Sequence, residues 1–257
     1  MSQETKQVND PLMGFWLTTP NFQFAEMLAV AGFRRLILDV EHGPFGHETL
    51  HNFIPACKGL GLEVFVKVLA PERSPIQTVL DFGADGVMIP HLQNLDHARE
   101  VCAYAKFPST GDRSLAGGRA MRYRMPTDDW FEQTNQRIRC FAMIETAGAL
   151  ADAEGIAALP CVDGLFPGPT DLSVRRGRGM YKRTPDDWQD IESIAHACRN
   201  NGKALVLPAW SAEERRRGIT ELGASFVFSG LEMLEMGRLA HELATGLKNE
   251  ATSFAMS

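Results

Sequence analysis

Two apolar runs of this chain end in side chains that could do chemistry. The run "RLILDV" contains Asp39 and leads directly to Glu41 and His42, and the run "RIRCFAMIE" ends in Glu145. Burying a lone carboxylate is costly, so each acid needs a nearby cation or a catalytic task. An imidazole titrates near pH ~6.5 and is suited to moving a proton at neutral pH. These residue types indicate acid–base chemistry beside carboxylates that could bind a cation.

A further acid follows the next apolar run, where "DGLFP" leads into "PGPTDLS" and to Asp171. If the two runs are neighbouring strands, Glu145 and Asp171 converge on one point. A hard cation such as Mg²⁺ or Mn²⁺ would bind both carboxylates there. A salt bridge to Arg175 or Arg176 is the alternative, and spacing alone leaves both interpretations open.

Apolar runs of strand length alternate with segments of helical period through almost the whole chain. Such alternation predicts right-handed βαβ units and a parallel sheet. Eight pairs in 257 residues fit a (β/α)₈ TIM barrel better than an open sheet. Active sites of these barrels lie at the C-terminal ends of the strands, where we also expect Lys67 and Gln93. The predicted strand runs are 12–18, 35–40, 63–68, 86–90, 137–145, 163–167, 203–209 and 224–230.

No linker or low-complexity tract divides the chain, so we predict a single barrel domain over residues 1–257. Residues 1–10 are predicted to form a polar tail. Residues 107–136, which are rich in Gly and Arg, are predicted to form a long inserted loop between the fourth helix and the fifth strand.

Composition excludes several classes of protein. The net charge of −6 disfavours a nucleic-acid partner, and no apolar run approaches the ~20 residues needed to cross a bilayer. The polar start lacks the apolar region of a signal peptide, which predicts a cytoplasmic protein. Five scattered cysteines with no CxxC pair predict a reduced chain without a disulfide or zinc framework.

Two other patterns invite alternative functions. His47 and His51 have the i,i+4 spacing of helical zinc ligands, but their segment is more typical of a solvated helix face. The stretches "GGRAMRYR" and "AEERRRG" are rich in arginine. Without interleaved aromatic residues they indicate a solvated or subunit-facing surface rather than a nucleic-acid site.

The motifs "LDVEHGP", "MIET" and "GPTDLS", in this order, resemble the HpcH/HpaI family of metal-dependent (class II) pyruvate aldolases. The segments "GFWLTTPNFQFAEMLAVAGF", "DFGADGVMIPHLQN", "FPSTGDRS" and "LGASFVFSG" fit the same pattern. The resemblance extends from about Gly14 to Leu247. It implies a barrel of the phosphoenolpyruvate/pyruvate type that forms homo-oligomers, commonly hexamers, in which the last helix is exchanged between partners.

The resemblance also implies an activity and a metal. The family reversibly cleaves 4-hydroxy-2-oxo acids to pyruvate and an aldehyde by a retro-aldol reaction, through an enolate stabilised by a divalent cation (Mg²⁺, Mn²⁺ or Co²⁺). By matching motif, Glu145 and Asp171 are expected to be the metal ligands. The backbone at Gly168 and Thr170 is expected to hold the pyruvate carboxylate, which agrees with the tight turn that Gly168 and Pro169 impose.

The remaining roles follow from the same resemblance. His42 is expected to be the acid/base, oriented by Asp39, with Glu41 close to the water shell of the metal. Gln93 is expected among the substrate contacts. Arg113 in "GDRS" is expected to reach the far end of the substrate or a neighbouring subunit, and a purely structural role stays open.

Lys67 departs from the family pattern, which has an arginine at this position. Lysine is a compact point charge, whereas arginine offers a fixed fork of donors. Three interpretations stay open. Lys67 could replace the arginine with weaker geometry, mark a changed reaction or substrate, or form a Schiff base with the keto group as class I aldolases do.

Two other functions are compatible with these residues. One is a decarboxylase or other lyase that acts on a 2-oxo acid such as oxaloacetate with the same metal. The other is a barrel that has lost catalysis and serves in binding or regulation. The presence of all five polar groups argues against the second; they are Asp39, Glu41, His42, Glu145 and Asp171.

Overall fold

The computed structural model describes residue 10 and residues 12–255 of the chain. Eight parallel strands pair in chain order, and the eighth closes on the first. This confirms the predicted (β/α)₈ barrel, since each predicted run overlaps one strand. The predicted tail, apart from residue 10, lies outside the described residues. The strands are β1 (Gly14–Leu17), β2 (Arg35–Asp39), β3 (Glu63–Lys67), β4 (Gly86–Ile89), β5 (Arg139–Ile144), β6 (Gly164–Pro167), β7 (Ala204–Pro208) and β8 (Phe226–Leu231).

Helices follow each strand and surround the barrel. They are α1 (Phe22–Val30), α2 (His47–Gly59), α3 (Arg73–Asp81), α4 (Leu95–Ala103), α5 (Asp128–Arg137), α6 (Ala147–Ala151), α7 (Ala153–Ala157), α8 (Pro169–Arg175), α9 (Pro185–Asn200), α10 (Ala212–Thr220) and α11 (Glu232–Ala255), with a 3₁₀ turn at Arg119–Met121. None of the helices in the described ranges is long and apolar enough to cross a membrane.

The strands alternate between two apolar cores. In β2, Leu36 and Leu38 pack outward against the helices, whereas Ile37 points into the barrel. In β3, Phe65 points inward in the same way, as Phe141 does in β5. Because side chains alternate along a strand, every second residue after these positions also faces the barrel axis.

The predicted loop over 107–136 is wrong for its last third, because residues 128–136 lie in α5. Only Trp130 and Phe131 give this helix an apolar side, and both pack against Phe107. Two apolar positions are too few to show a helical period in the sequence. Tertiary contact with Phe107 therefore decides this element.

The segment that contains Asp171 is also a helix rather than an open turn. Pro169 occupies the first turn of α8, where its missing N–H is not needed. The backbone of Gly168 passes directly against Glu145, because a Cβ added there would lie 2.7 Å from the Glu145 Cβ. Only glycine allows this approach without displacing the acid.

All five cysteines are free and buried. Burial raises the pKa of the Cys57 thiol to about 12, and it raises the pKa of Cys161 to about 12 as well. Both thiols are therefore poor nucleophiles and poor metal ligands at neutral pH.

Candidate active site

Strand alternation brings three charged side chains to the C-terminal mouth of the barrel. Asp39 lies two residues after Ile37, Lys67 two residues after Phe65, and Glu145 four residues after Phe141, so all three face inward. All three are buried. Asp39 and Lys67 are also paired in register across β2 and β3.

Glu41 lies at the centre of the charged groups. Its Oε2 is 2.7 Å from Lys67 Nζ, and its Oε1 is 3.4 Å from His42 Nε2. Burial raises the pKa of Glu41, but the hydrogen bond and charge of Lys67 outweigh it, with help from His91 and His42, so the pKa lies below its usual value. Glu41 therefore stays ionised and binds the Lys67 ammonium and the imidazoles of His42 and His91.

Asp39 accepts hydrogen bonds from a neighbouring indole ring and from the backbone. Its Oδ2 accepts a 3.0 Å hydrogen bond from Trp16 Nε1, and its Oδ1 accepts the backbone N–H of His42 at 3.1 Å. Lys67 Nζ lies 3.9 Å from Asp39. Asp39 fixes the loop that carries His42, while the imidazole itself lies nearest to Glu41. The His42 ring is 65% exposed and faces the open mouth.

The acid pair predicted to bind metal consists of buried Glu145 and exposed Asp171. The Glu145 side chain is almost fully buried, and its Oε1 accepts the backbone N–H of His91 at 2.6 Å. Burial raises the pKa of Glu145 and outweighs the hydrogen bond and charge of His91, which lower it. The charge of Asp171 also raises this pKa, but less than His91 lowers it, and Lys67 lowers it slightly. A divalent cation would relieve both effects that raise this pKa, and the oxygen donors suit Mg²⁺ or Mn²⁺.

A second group of possible metal ligands lies beside this pair. Asp39, Glu41 and His42 each offer a ligand atom within 4.8 Å of the others. However, the Lys67 ammonium is already 2.7 Å from Glu41 and 3.9 Å from Asp39. A metal ion bound by this group would therefore compete with the Lys67 ammonium.

The arginines proposed as alternative partners of the acids have other contacts. Arg175 approaches His91 Nδ1 at 3.5 Å, and Arg176 pairs with Asp190 at 3.5 Å. Gln93, which is exposed, lies next to the mouth and donates from Nε2 to the His91 carbonyl at 2.8 Å. The substrate contact of Gln93 stays a prediction.

The structure does not bring Arg113 to the mouth. Its guanidinium is buried 2.7 Å from Asp81, at the end of α3, and it stacks over the Phe107 ring. His47 and His51 also lie away from the mouth, since both rings pack edge-on against Phe82. These three side chains belong to the helical shell rather than to the group around Glu41.

Sequence profiles agree with this geometry. Residues 12–236 match the family described as HpcH/HpaI aldolase/citrate lyase. The chain belongs to this family.

Similar proteins cover the chain almost completely. It is 33% identical to the 2-dehydro-3,6-dideoxy-6-sulfogluconate aldolase of Pseudomonas putida, over 98% of each chain. It is 32% identical to the 4-hydroxy-2-oxo-heptane-1,7-dioate aldolase of Salmonella paratyphi C (strain RKS4594), over 94% of this chain and 92% of the relative. The crystal structure of an HpcH/HpaI aldolase from Desulfitobacterium hafniense DCB-2 superimposes with a TM-score of 0.82 at 26% identity, covering 94% and 93% of the two chains.

Aldolases are carbon–carbon lyases, and this member of the HpcH/HpaI family is one as well. Three residues at its mouth were missed by the sequence analysis. His91 bridges Glu41 and Glu145, Trp16 holds Asp39, and Glu232 accepts hydrogen bonds from the backbone and hydroxyls of Thr18 and Thr19.

Two of the missed residues carried a signal in the sequence. Trp16 occupies a position of β1 whose side chain points into the barrel, and His91 comes two residues after the end of β4 in "GVMIPHLQN". Glu232 gave none, because a single acid at the start of a helix is common on solvated surfaces.

Proposed function

We propose that this chain reversibly cleaves a 4-hydroxy-2-oxo acid to pyruvate and an aldehyde, and that the reaction depends on a divalent metal ion. The observation that supports this most directly is the pairing of two sites at one mouth. On one side lie buried Glu145, whose pKa is raised, and exposed Asp171, and on the other side lies the exposed imidazole of His42. Glu41 connects them through His42 and His91.

The 2-oxo acid half binds at the acid pair in this proposal. Glu145 and Asp171 would hold the cation, and the backbone at Gly168 and Thr170 would hold the pyruvate carboxylate. The close approach of Gly168 to Glu145 supports this arrangement, because it places main chain next to the acid. A bound divalent cation supplies Lewis-acid stabilisation of the negative charge that develops on the keto oxygen.

His42 carries the proton in this reaction. Its ring accepts the proton of the 4-hydroxyl, and the C3–C4 bond breaks as the aldehyde carbonyl forms. The electron pair passes to the pyruvate half, which is then protonated at C3. The exposure of the ring supports this role, since the hydroxyl must reach it from the mouth, and ionised Glu41 stabilises the imidazolium that results.

Lys67 takes the place of the family arginine as a positive charge beside the keto oxygen. Its ion pair with Glu41 leaves the ammonium without a free lone pair, which argues against a Schiff base. Lys67→Arg should therefore keep pyruvate release, whereas Lys67→Ala should lose it. Borohydride added with pyruvate should leave the mass of the protein unchanged, and a pyruvate-sized adduct on Lys67 would exclude this role.

The surface of α11 supports an oligomer. Its apolar side chains are exposed along most of the helix, a pattern that a partner subunit would cover; they are Met233, Leu234, Met236, Leu239, Leu243 and Leu247. We propose a homo-oligomer of single-domain subunits, a hexamer in which this helix is exchanged between partners. We propose that it acts on small 2-oxo acids in the cytoplasm.

Pyruvate release from a panel of 4-hydroxy-2-oxo acids tests the proposal. Exhaustive chelation should abolish release, and Mg²⁺, Mn²⁺ or Co²⁺ should restore it. Glu132→Gln, which alters an exposed acid on α5, serves as a control that leaves release intact. Full activity after chelation would contradict the metal assignment. Release of CO₂ from oxaloacetate without cleavage of any 4-hydroxy-2-oxo acid would favour the decarboxylase instead.

A further inference from the structure

We infer that His91 is a third protein ligand of the divalent cation, and that its nitrogen shifts the metal preference of the site away from Mg²⁺. This inference rests on the part of the proposed function that assigns the cation to Glu145 and Asp171. It adds a nitrogen donor to a set that the sequence predicts to consist of oxygens.

The backbone places the His91 ring between two acids. His91 has a φ of 58°, in the left-handed region that non-glycine residues seldom adopt. The conformation is held from both sides, because its N–H donates to Glu145 Oε1 at 2.6 Å and its carbonyl accepts from Gln93 Nε2 at 2.8 Å. A strained conformation that is fixed in this way at a site is a reason to look for function there.

The two ring nitrogens of His91 face different partners. Nε2 lies 2.6 Å from Glu41 Oε1, and a carboxylate can only accept, so Nε2 carries a proton. Arg175 approaches Nδ1 at 3.5 Å. Nδ1 also lies 3.1 Å from Glu145 Oε1. This spacing needs a positive charge between the two atoms, either a proton on Nδ1 or a metal cation that binds both atoms and takes the place of that proton.

The distance between His91 Nδ1 and Glu145 Oε1 fits a metal cation. Adjacent ligands of an octahedral ion with bonds of ~2.1 Å lie about 3 Å apart, and Nδ1 and Glu145 Oε1 are separated by 3.1 Å. A histidine that binds a metal usually donates its other ring N–H to a carboxylate, which fixes the ring and makes it more basic. Glu41 is in this position, and Lys67 holds Glu41 in turn.

A nitrogen ligand has a consequence for metal choice. Mg²⁺ favours oxygen donors, whereas imidazole suits the later first-row ions, whose affinity generally increases from Mn²⁺ towards Co²⁺ and Ni²⁺. The site should therefore bind Co²⁺ and Mn²⁺ more tightly than Mg²⁺. Loss of the imidazole should weaken Co²⁺ binding more than Mg²⁺ binding.

Pulsed EPR of the Mn²⁺-loaded protein tests the ligand directly. Full-length protein that contains ¹⁵N-histidine should show a histidine nitrogen coupling to Mn²⁺, without any substitution. The coupling should disappear in His91→Gln and persist in His42→Gln, which removes the other imidazole near Glu41. His51→Gln is the control, because that ring packs on Phe82 in the helical shell. Calorimetric titration should show Co²⁺ affinity reduced about 10–100-fold in His91→Gln.

The outcomes separate this inference from the proposed function. Mn²⁺ binding without a histidine coupling in the labelled wild type would overturn the inference and leave His91 as an imidazolium that bridges two acids. A coupling that His91→Gln removes would support it even if no 4-hydroxy-2-oxo acid released pyruvate, in which case only the reaction would be wrong. A coupling that persists in His91→Gln and disappears in His42→Gln would also overturn it. Absence of Mn²⁺ binding would contradict both proposals.

Discussion

Among the described residues, one buried lysine lies at each end of the barrel, and the two ammonium groups have different partners. At the N-terminal ends of the strands, Lys106 Nζ lies 2.7 Å from Asp163 and donates to the carbonyls of Asn135 and Ile138. All three donors of this ammonium are used. At the mouth, Lys67 has an ion pair with Glu41, a longer contact with Asp39, and the face of the Trp16 ring.

The carboxylates at the two ends differ in the same way. Asp85 accepts the N–H of Val64 and pairs with Lys58, and Asp163 accepts the N–H of Cys140 in addition to its contact with Lys106. Each acid thus links the start of its own strand to the backbone of the preceding strand. At the mouth, by contrast, burial and Asp171 raise the pKa of Glu145. Asp85 and Asp163 at the N-terminal end are each paired with a lysine of the chain, whereas Glu145 at the mouth has a raised pKa.

This comparison predicts opposite effects of removing an acid at each end. Glu145→Gln should lower kcat/KM at least about 10³-fold, the upper range for losing one group that stabilises developing charge. Because its folded-state pKa is raised, ionised Glu145 costs folding stability at neutral pH, so the Tm of the chelated variant should be unchanged or higher. Steady-state kinetics and calorimetry in chelator measure the two effects.

Asp163→Asn is the matched change at the other end. It should keep kcat/KM and lower Tm, because Lys106 loses its carboxylate while buried. A large loss of Tm in Glu145→Gln, or of kcat/KM in Asp163→Asn, would contradict the division of tasks between the two ends.

The second prediction concerns the exposed imidazole at the mouth. His42→Ala should lower kcat by ~10²–10⁴-fold, the usual contribution of a positioned acid or base. Since the ring is 65% exposed, Tm should hardly change. The affinity of the variant for Mn²⁺, measured by calorimetry, should also stay unchanged. A variant with near-normal kcat would make His42 an ordinary loop residue.

The third prediction concerns the lysine at the N-terminal end. Lys106→Met should lower the free energy of unfolding by about 3–5 kcal/mol, because it leaves the partly buried Asp163 without its main partner. Denaturant unfolding measures this loss, and kcat at a temperature where the variant is folded should match the wild type. Lys182→Met, at an exposed position, should leave unfolding unchanged. A stable Lys106→Met variant would show that this ion pair adds no net stability.

The smallest effect is expected at Glu63, the acid at the N-terminal end whose charge is least well matched. Burial raises its pKa and the charge of Asp85 adds to this, although Arg35 opposes them. A folded-state pKa above the unfolded value means that stability is lost as pH rises through it. The Tm of Glu63→Gln relative to wild type should therefore increase between about pH 4 and about pH 7. A difference that shrinks over this range would contradict the assigned sign.

Much of the barrel could be predicted because its signals are local. Each strand is an apolar run of four to six residues, and short joints such as "GADGVM" and "VDGLFP" repeat before β4 and β6. The glycines in these joints have a tertiary reason, since a Cβ on Gly86 or Gly164 would lie 2.4 Å from a carbonyl of the next strand. Helix α5 could not be predicted in this way, because its apolar side depends on Phe107.

The sequence by itself determined which acids reach the mouth, because a strand exposes alternate residues and Asp39 and Glu145 lie at the ends of apolar runs. Tertiary structure alone decided what those acids contact. His91 reaches Glu41 and Glu145 across about 50 residues of chain, and Arg113 contacts Asp81 rather than the mouth. The side of the strand on which a side chain lies depends only on neighbouring residues. The partner of a charged side chain depends on how the whole barrel closes, and no short stretch of sequence shows this.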